Sequence, residues 1–141
     1  MPTWIIFGIL SAFFAALVTI FSKKGLANID SNLATTIRVI VMSLFLIIFS
    51  ALTGKFAKLN TINGNALLFI VLGALAGVIS WLFYFYALSK AGSAPVSALD
   101  RLSLVFIVIM AALFLKEPLS LPIVIGALMM IGGAILMTVK F

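Results

Sequence analysis

Five long apolar runs divide the chain, and short polar stretches separate them. The runs predict helices over about residues 3–22, 33–52, 65–89, 94–115 and 119–139. Each is close to the ~20 residues a helix needs to cross a hydrocarbon core ~30 Å thick. The intervening residues are of the kinds that stop and start helices. Lys23-Lys24 and Gly25 close the first run, and Asp30-Ser31-Asn32 offer N-cap side chains to the second. Pro118 is expected in the first turn of the fifth. The first run lacks a basic stretch before it and a small-residue cleavage site after it, so it reads as a retained helix rather than a signal peptide. A single membrane domain over residues 1–141 accounts for the pattern.

Composition agrees with the pattern. Of 141 residues, 65% are apolar and 9% charged, too few charges to cover the surface of a soluble domain of this size. The fold class is therefore an all-α integral membrane protein with five transmembrane helices. The net charge of +6 does not point to nucleic acid, because the nine Lys and Arg stand mostly at segment ends, the pattern of membrane anchoring. An odd number of spans places the termini on opposite sides. Lys55, Lys58 and Lys116 fall on one side, and Lys23, Lys24, Lys90 and Lys140, with Arg38 and Arg101 nearby, on the other. The bias toward a cytoplasmic C-terminus is weak, which leaves insertion in both orientations open. A multi-pass protein of the cell's inner (cytoplasmic) membrane is expected.

Candidate chemistry centres on charges at membrane depth. Asp100 and Arg101 lie six or so residues into the fourth run, ~9 Å below the surface by helical rise. A charge there costs at least ~2.5–3.5 kcal/mol on insertion scales, so a partner, water access or function must offset it. Arg38 lies at the same ~9 Å from the same face, since the second and fourth helices both start on that side. An Arg38–Asp100 pair between helices is thus available; the alternative is snorkelling, easier for Arg38 than for the short Asp100. Arg101 points about 100° away around its helix and is expected to snorkel or meet lipid phosphate.

Around these charges run stripes of small and aromatic residues. Gly73 and Gly77 form a GxxxG, with Ser80 and Tyr84 continuing the stripe and Trp81 beside it. Trp81, Phe83, Tyr84, Phe85 and Tyr86 crowd the end of the third helix, where an interfacial aromatic belt is the simplest reading and suits Tyr86. Trp81 and Tyr84 sit deeper, ~12 and ~7.5 Å from Ser89, and are candidates for a pocket wall. Ser97 shares a helix face with Asp100. Gly126 and Gly133 share another on the fifth helix, for packing within the subunit or along a dimer seam. The candidate substrate-binding or coupling residues are therefore Asp100, Arg38, Ser80, Trp81, Tyr84 and Ser97.

These residues carry a family resemblance. Asp30–Arg38 (DSNLATTIR), Ser80–Leu88 (SWLFYFYAL) and Ala94–Ser120, from APVSALDRLSLVF through ALFLKEPLS, followed by GALMMIGG, resemble a single EamA-type unit of the drug/metabolite transporter superfamily, in its short five-helix branch. The resemblance covers essentially the whole chain. Many longer members have proline at the place of Ser103 and glycine at the place of Lys116, and the DRLS pattern favours the short branch. The resemblance implies half of an inverted-repeat, ten-helix transporter fold and a secondary transporter, an expected exporter, of small metabolites or amphipathic compounds. It would work by alternating access as a homodimer, with an antiparallel arrangement favoured and protons as the candidate coupling ion. The carboxylate that small multidrug resistance relatives carry in their first helix has no counterpart here.

Enzyme chemistry finds no support. The sequence has no His or Cys for a metal or nucleophile and no Walker A motif, and Asp100 has no second carboxylate at working distance. No cofactor is expected. Partners are the lipid bilayer and a small-molecule substrate. Two other readings stay open: a non-transporting scaffold or accessory subunit in which Arg38–Asp100 is structural, and a lipid-carrier flippase.

Overall fold

The computed structural model describes residues 2–139. Its helices are α1 (Thr3–Gly25), α2 (Ser31–Leu52), α3 (Gly64–Lys90), α4 (Ser93–Asp100), α5 (Ser103–Phe114) and α6 (Leu121–Thr138), with a 3₁₀ segment over Lys55–Thr61. No strand occurs among the described residues. Among the described residues, five spans are long and apolar enough to cross a membrane, with α4 and α5 together forming the fourth, Ser93–Phe114. Helices satisfy their own backbone hydrogen bonds, which lipid cannot do for them, so an apolar run of this length has little alternative. Lys140, counted above among the charges of one side, lies outside the described residues. The chain divides into two compact units, residues 24–89 and residues 1–23 with 90–141.

In residues 24–89, α2 begins two residues earlier than the hydropathy suggests because Asp30 caps it. Its Oδ1 accepts from the N–H groups of Asn32 and Leu33, at 2.9 and 3.0 Å. Capping of this kind contributes about 1 kcal/mol. Ser31 and Thr35 are buried on this helix. The Thr35 hydroxyl donates to the Ser31 carbonyl at 2.7 Å, so its burial leaves no donor unmet. After α2, Gly54 turns the chain with a left-handed φ of 66°, where a side chain would be strained. The 3₁₀ segment that follows packs back on α2. Asn63 then starts α3, its Oδ1 accepting from Ala66 N–H at 2.8 Å. Phe85 and Leu88 are the buried residues of α3, and Leu88 is wholly enclosed.

In the other unit, the Lys23 ammonium donates to the Ala91 carbonyl at 2.7 Å, tying the end of α1 to the turn before α4. The fourth span is not one helix over 94–115 as its hydropathy implies. The α-helical ladder stops at Asp100 and resumes at Ser103. Between them the backbone tightens: Leu102 N–H bonds to Leu99 C=O at 3.0 Å, and Val105 N–H to Leu102 C=O at 2.9 Å, both three-residue 3₁₀ steps. α6 packs against both α4 and α5.

The α5–α6 connection corrects a second expectation. Pro118 is not in the first turn of the next helix. It stands in an extended linker, and Pro122 takes the early helical position of α6. Lys116 adopts a left-handed φ of 53°, and Glu117 N–H reaches back to Ala111 C=O at 3.3 Å over it. Glycine would enter that conformation without a Cβ clash.

Most apolar side chains of every span point outward. A Cβ built on Gly73, Gly77, Gly126 or Gly133 would meet nothing within 4 Å. None of these four glycines therefore brings another described segment into close contact, and their faces are free for lipid or a second protein.

Candidate functional site

Within residues 24–89, α2 and α3 bring three of the expected site residues together around a charge. Arg38 stands seven residues into α2, ~10 Å from Ser31 by helical rise, and is half-buried. Trp81 and Phe85 are four residues apart on α3, one above the other on a helix face. The Arg38 guanidinium carbon lies 3.6 Å from the centre of the Phe85 ring and 4.9 Å from that of Trp81. Both are within the ~6 Å over which a ring's negative face attracts a cation. Tyr84 meets Phe85 edge to face, with centroids 5.0 Å apart at 87°.

This arrangement sets two ring faces against the Arg38 charge without satisfying its donors. Among the described residues, Nε and Nη2 are closed to solvent and have no hydrogen-bond partner. Residues 24–89 contain one carboxylate, Asp30, and its Oδ1 is engaged in capping α2. An unmet hydrogen bond at a buried charged donor is among the more expensive defects a fold can hold.

The other expected residues are described on their own helices. Ser80 is exposed on α3. Ser97 and Asp100 are both on α4, three residues apart, with Ser97 half-buried and Asp100 exposed. Asp100 is the last residue of α4, so the one acid at membrane depth stands where the helical ladder breaks. The carbonyl of Ser97 accepts from Arg101 N–H at 3.2 Å, holding the last turn before the break. Sequence reasoning passed over Phe85, leaving it in the interfacial belt. Its spacing of four from Trp81 and three from Leu88 was the available signal, because that spacing defines a single helix face.

Comparison with known proteins shows the family. Residues 2–139 match the EamA-like transporter family. The chain is 41% identical over 137 residues to an uncharacterized transporter in the cobO 3′ region of a Sinorhizobium species, covering 97% of each. It is 31% identical over 140 residues to an uncharacterized protein of Methanocaldococcus jannaschii, covering 99% of each. Against the uncharacterized transporter YvbV of Bacillus subtilis it is 26% identical over 127 residues, 89% of this chain but 41% of that one. No solved structure matches it. With nearly every described residue inside the family match, this five-span chain belongs to the EamA-like transporter family.

Proposed function

We propose that the protein is a secondary transporter that exports small metabolites or amphipathic compounds by alternating access. The observation that carries this reading is the break in the fourth span at Asp100. Within a membrane, a departure from the α-helical ladder persists where the backbone is covered by protein or lines a hydrated path. Transporters commonly place ligand sites at such interruptions. Asp100 stands seven residues past Ser93, ~10 Å into the span, and is exposed on the protomer. It is the proposed coupling residue, a carboxylate that takes up and releases one proton in each cycle. Ser97, one turn earlier, and Ser80, Trp81, Tyr84 and Arg38 in the other unit are proposed as substrate-contacting or tuning residues.

The test begins with ligand screening by thermal stabilisation. A ligand of the folded state present at about a hundredfold its Kd adds ~2.7 kcal/mol of stability. Compounds found this way should cross the bilayer of proteoliposomes and dissipate an imposed pH gradient as they do. Ligands that stabilise the protein yet never cross would favour the scaffold reading instead.

A dimer is part of the proposal, because the chain aligns with less than half of the longer transporter YvbV. A second copy in the opposite orientation would supply the other half. The chain lacks cysteine, so single cysteines at Asn28 and Asn63, both exposed and on opposite sides of the bilayer by span count, report orientation through an impermeant thiol reagent. Each site should label in about half the molecules, as its weak charge bias allows. A single orientation throughout would exclude the inverted homodimer.

A further inference from the structure

We infer that Arg38 is an anion-binding residue. Its Nε–Nη2 edge takes the carboxylate or phosphate of an amphipathic organic anion in a bidentate grip, with Trp81 and Phe85 as the aromatic bed beside it. The inference names a ligand class for the transporter reading and depends on that reading only for the ligand's passage across the membrane.

Three observations lead to it. The two nitrogens without a partner are the adjacent pair whose N–H bonds run parallel, the fork that matches two oxygens of a carboxylate or phosphate. The rings of Phe85 and Trp81, at 3.6 and 4.9 Å, hold the guanidinium carbon and so fix where that fork stands. No acid within residues 24–89 is placed to fill it: Asp30 lies eight residues earlier on the chain, ~12 Å away by helical rise, and caps α2. A cation held against two rings, with its fork unmet among the described residues, calls for an acceptor from outside the unit. The acceptor inferred at ~10 Å of depth is the phosphate of a lipid headgroup, reached by snorkelling, or the anionic group of a soluble ligand with an apolar body. The fork is closed to solvent, so a ligand that fills it must rearrange its surroundings, and Trp81, 4.9 Å from the guanidinium carbon, is the reporter.

The chain has two tryptophans, Trp4 and Trp81. In a Trp4→Phe background and phosphate-free dodecyl maltoside micelles, phenyl phosphate and benzoate should each shift Trp81 emission saturably, while benzylamine should not. Arg38→Gln should abolish the response. Arg38→Lys keeps the charge but not the fork, and should weaken binding roughly tenfold or more. The Lys variant decides the matter should the Gln variant fail to fold. Phosphatidylglycerol added to the micelles separates the sources. A headgroup site responds to the lipid and resists phenyl phosphate, whereas a soluble-anion site does the reverse. The inference is overturned if no anion gives a saturable shift, if benzylamine shifts the emission equally, or if either Arg38 variant binds like the parent. Since the assay needs no gradient and leaves Asp100 intact, the two readings fail separately. Anion binding without any transport would overturn only the transporter reading, and Asp100-dependent transport without anion binding only this one.

Discussion

Asp100→Asn is expected to abolish proton-driven accumulation while sparing downhill flux. One coupled proton gives 1.36 kcal/mol per unit of pH gradient, so two units sustain about a hundredfold accumulation of a substrate exchanged one for one. Asparagine keeps the shape of the side chain and cannot carry the proton. The accumulation ratio in proteoliposomes should therefore fall from about a hundred to about one. The substrate should still equilibrate across the bilayer, because the span and its break remain. The measurement is the steady-state ratio of a stabilising ligand inside and outside under an imposed gradient. Full accumulation by the variant would show that Asp100 does not couple. Its place at the end of α4 would then be structural.

The second large effect concerns Phe85, which is 4% exposed and lies under the Arg38 guanidinium. Phe85→Ala is expected to destabilise the protein by about 3–5 kcal/mol, the usual range for emptying a buried aromatic position. Part of that loss is packing and part is the attraction between ring and cation. A double-mutant cycle separates them: Phe85→Leu keeps most of the volume without the ring face, and Arg38→Met removes the charge. A coupling of about 0.5–2 kcal/mol between these two is expected in unfolding measurements, the range for a cation over a ring. Strict additivity would mean that the ring only fills space. The parallel substitution of Trp81, at a longer 4.9 Å, should couple more weakly.

The spans were legible because lipid leaves one local solution to an apolar run, and run length is written directly in the sequence. Their ends were legible where a side chain caps them, as Asp30 does for α2. The break in the fourth span was not. Asp100, Arg101, Leu102 and Ser103 include no glycine or proline, so nothing local forbids a continuous helix there. The hint lay in the resemblance, since longer relatives carry proline at the place of Ser103, which is the first residue of α5 and a position proline suits. Lys116 follows the same logic, a left-handed position at which the resemblance implies glycine in many longer members. The pairing of Arg38 with two rings was half legible. Trp81 and Tyr84 were singled out by depth, but Phe85 was set aside as an interfacial residue, because composition alone cannot say which aromatic of a cluster faces a neighbouring helix.

The contact of α6 with both halves of the fourth span has a mechanical meaning. A bend at Arg101–Leu102 would turn α4 and α5 like two arms of a lever, and α6 lies along both as a splint. The arms cannot swing freely. Any change of angle would have to be absorbed by sliding along α6, whose one buried residue among those described is Ala134. A methyl group offers a shallow surface that resists sliding far less than an interlocked leucine would. Support by the splint and low friction along it would together confine motion of the span to a shear in one direction.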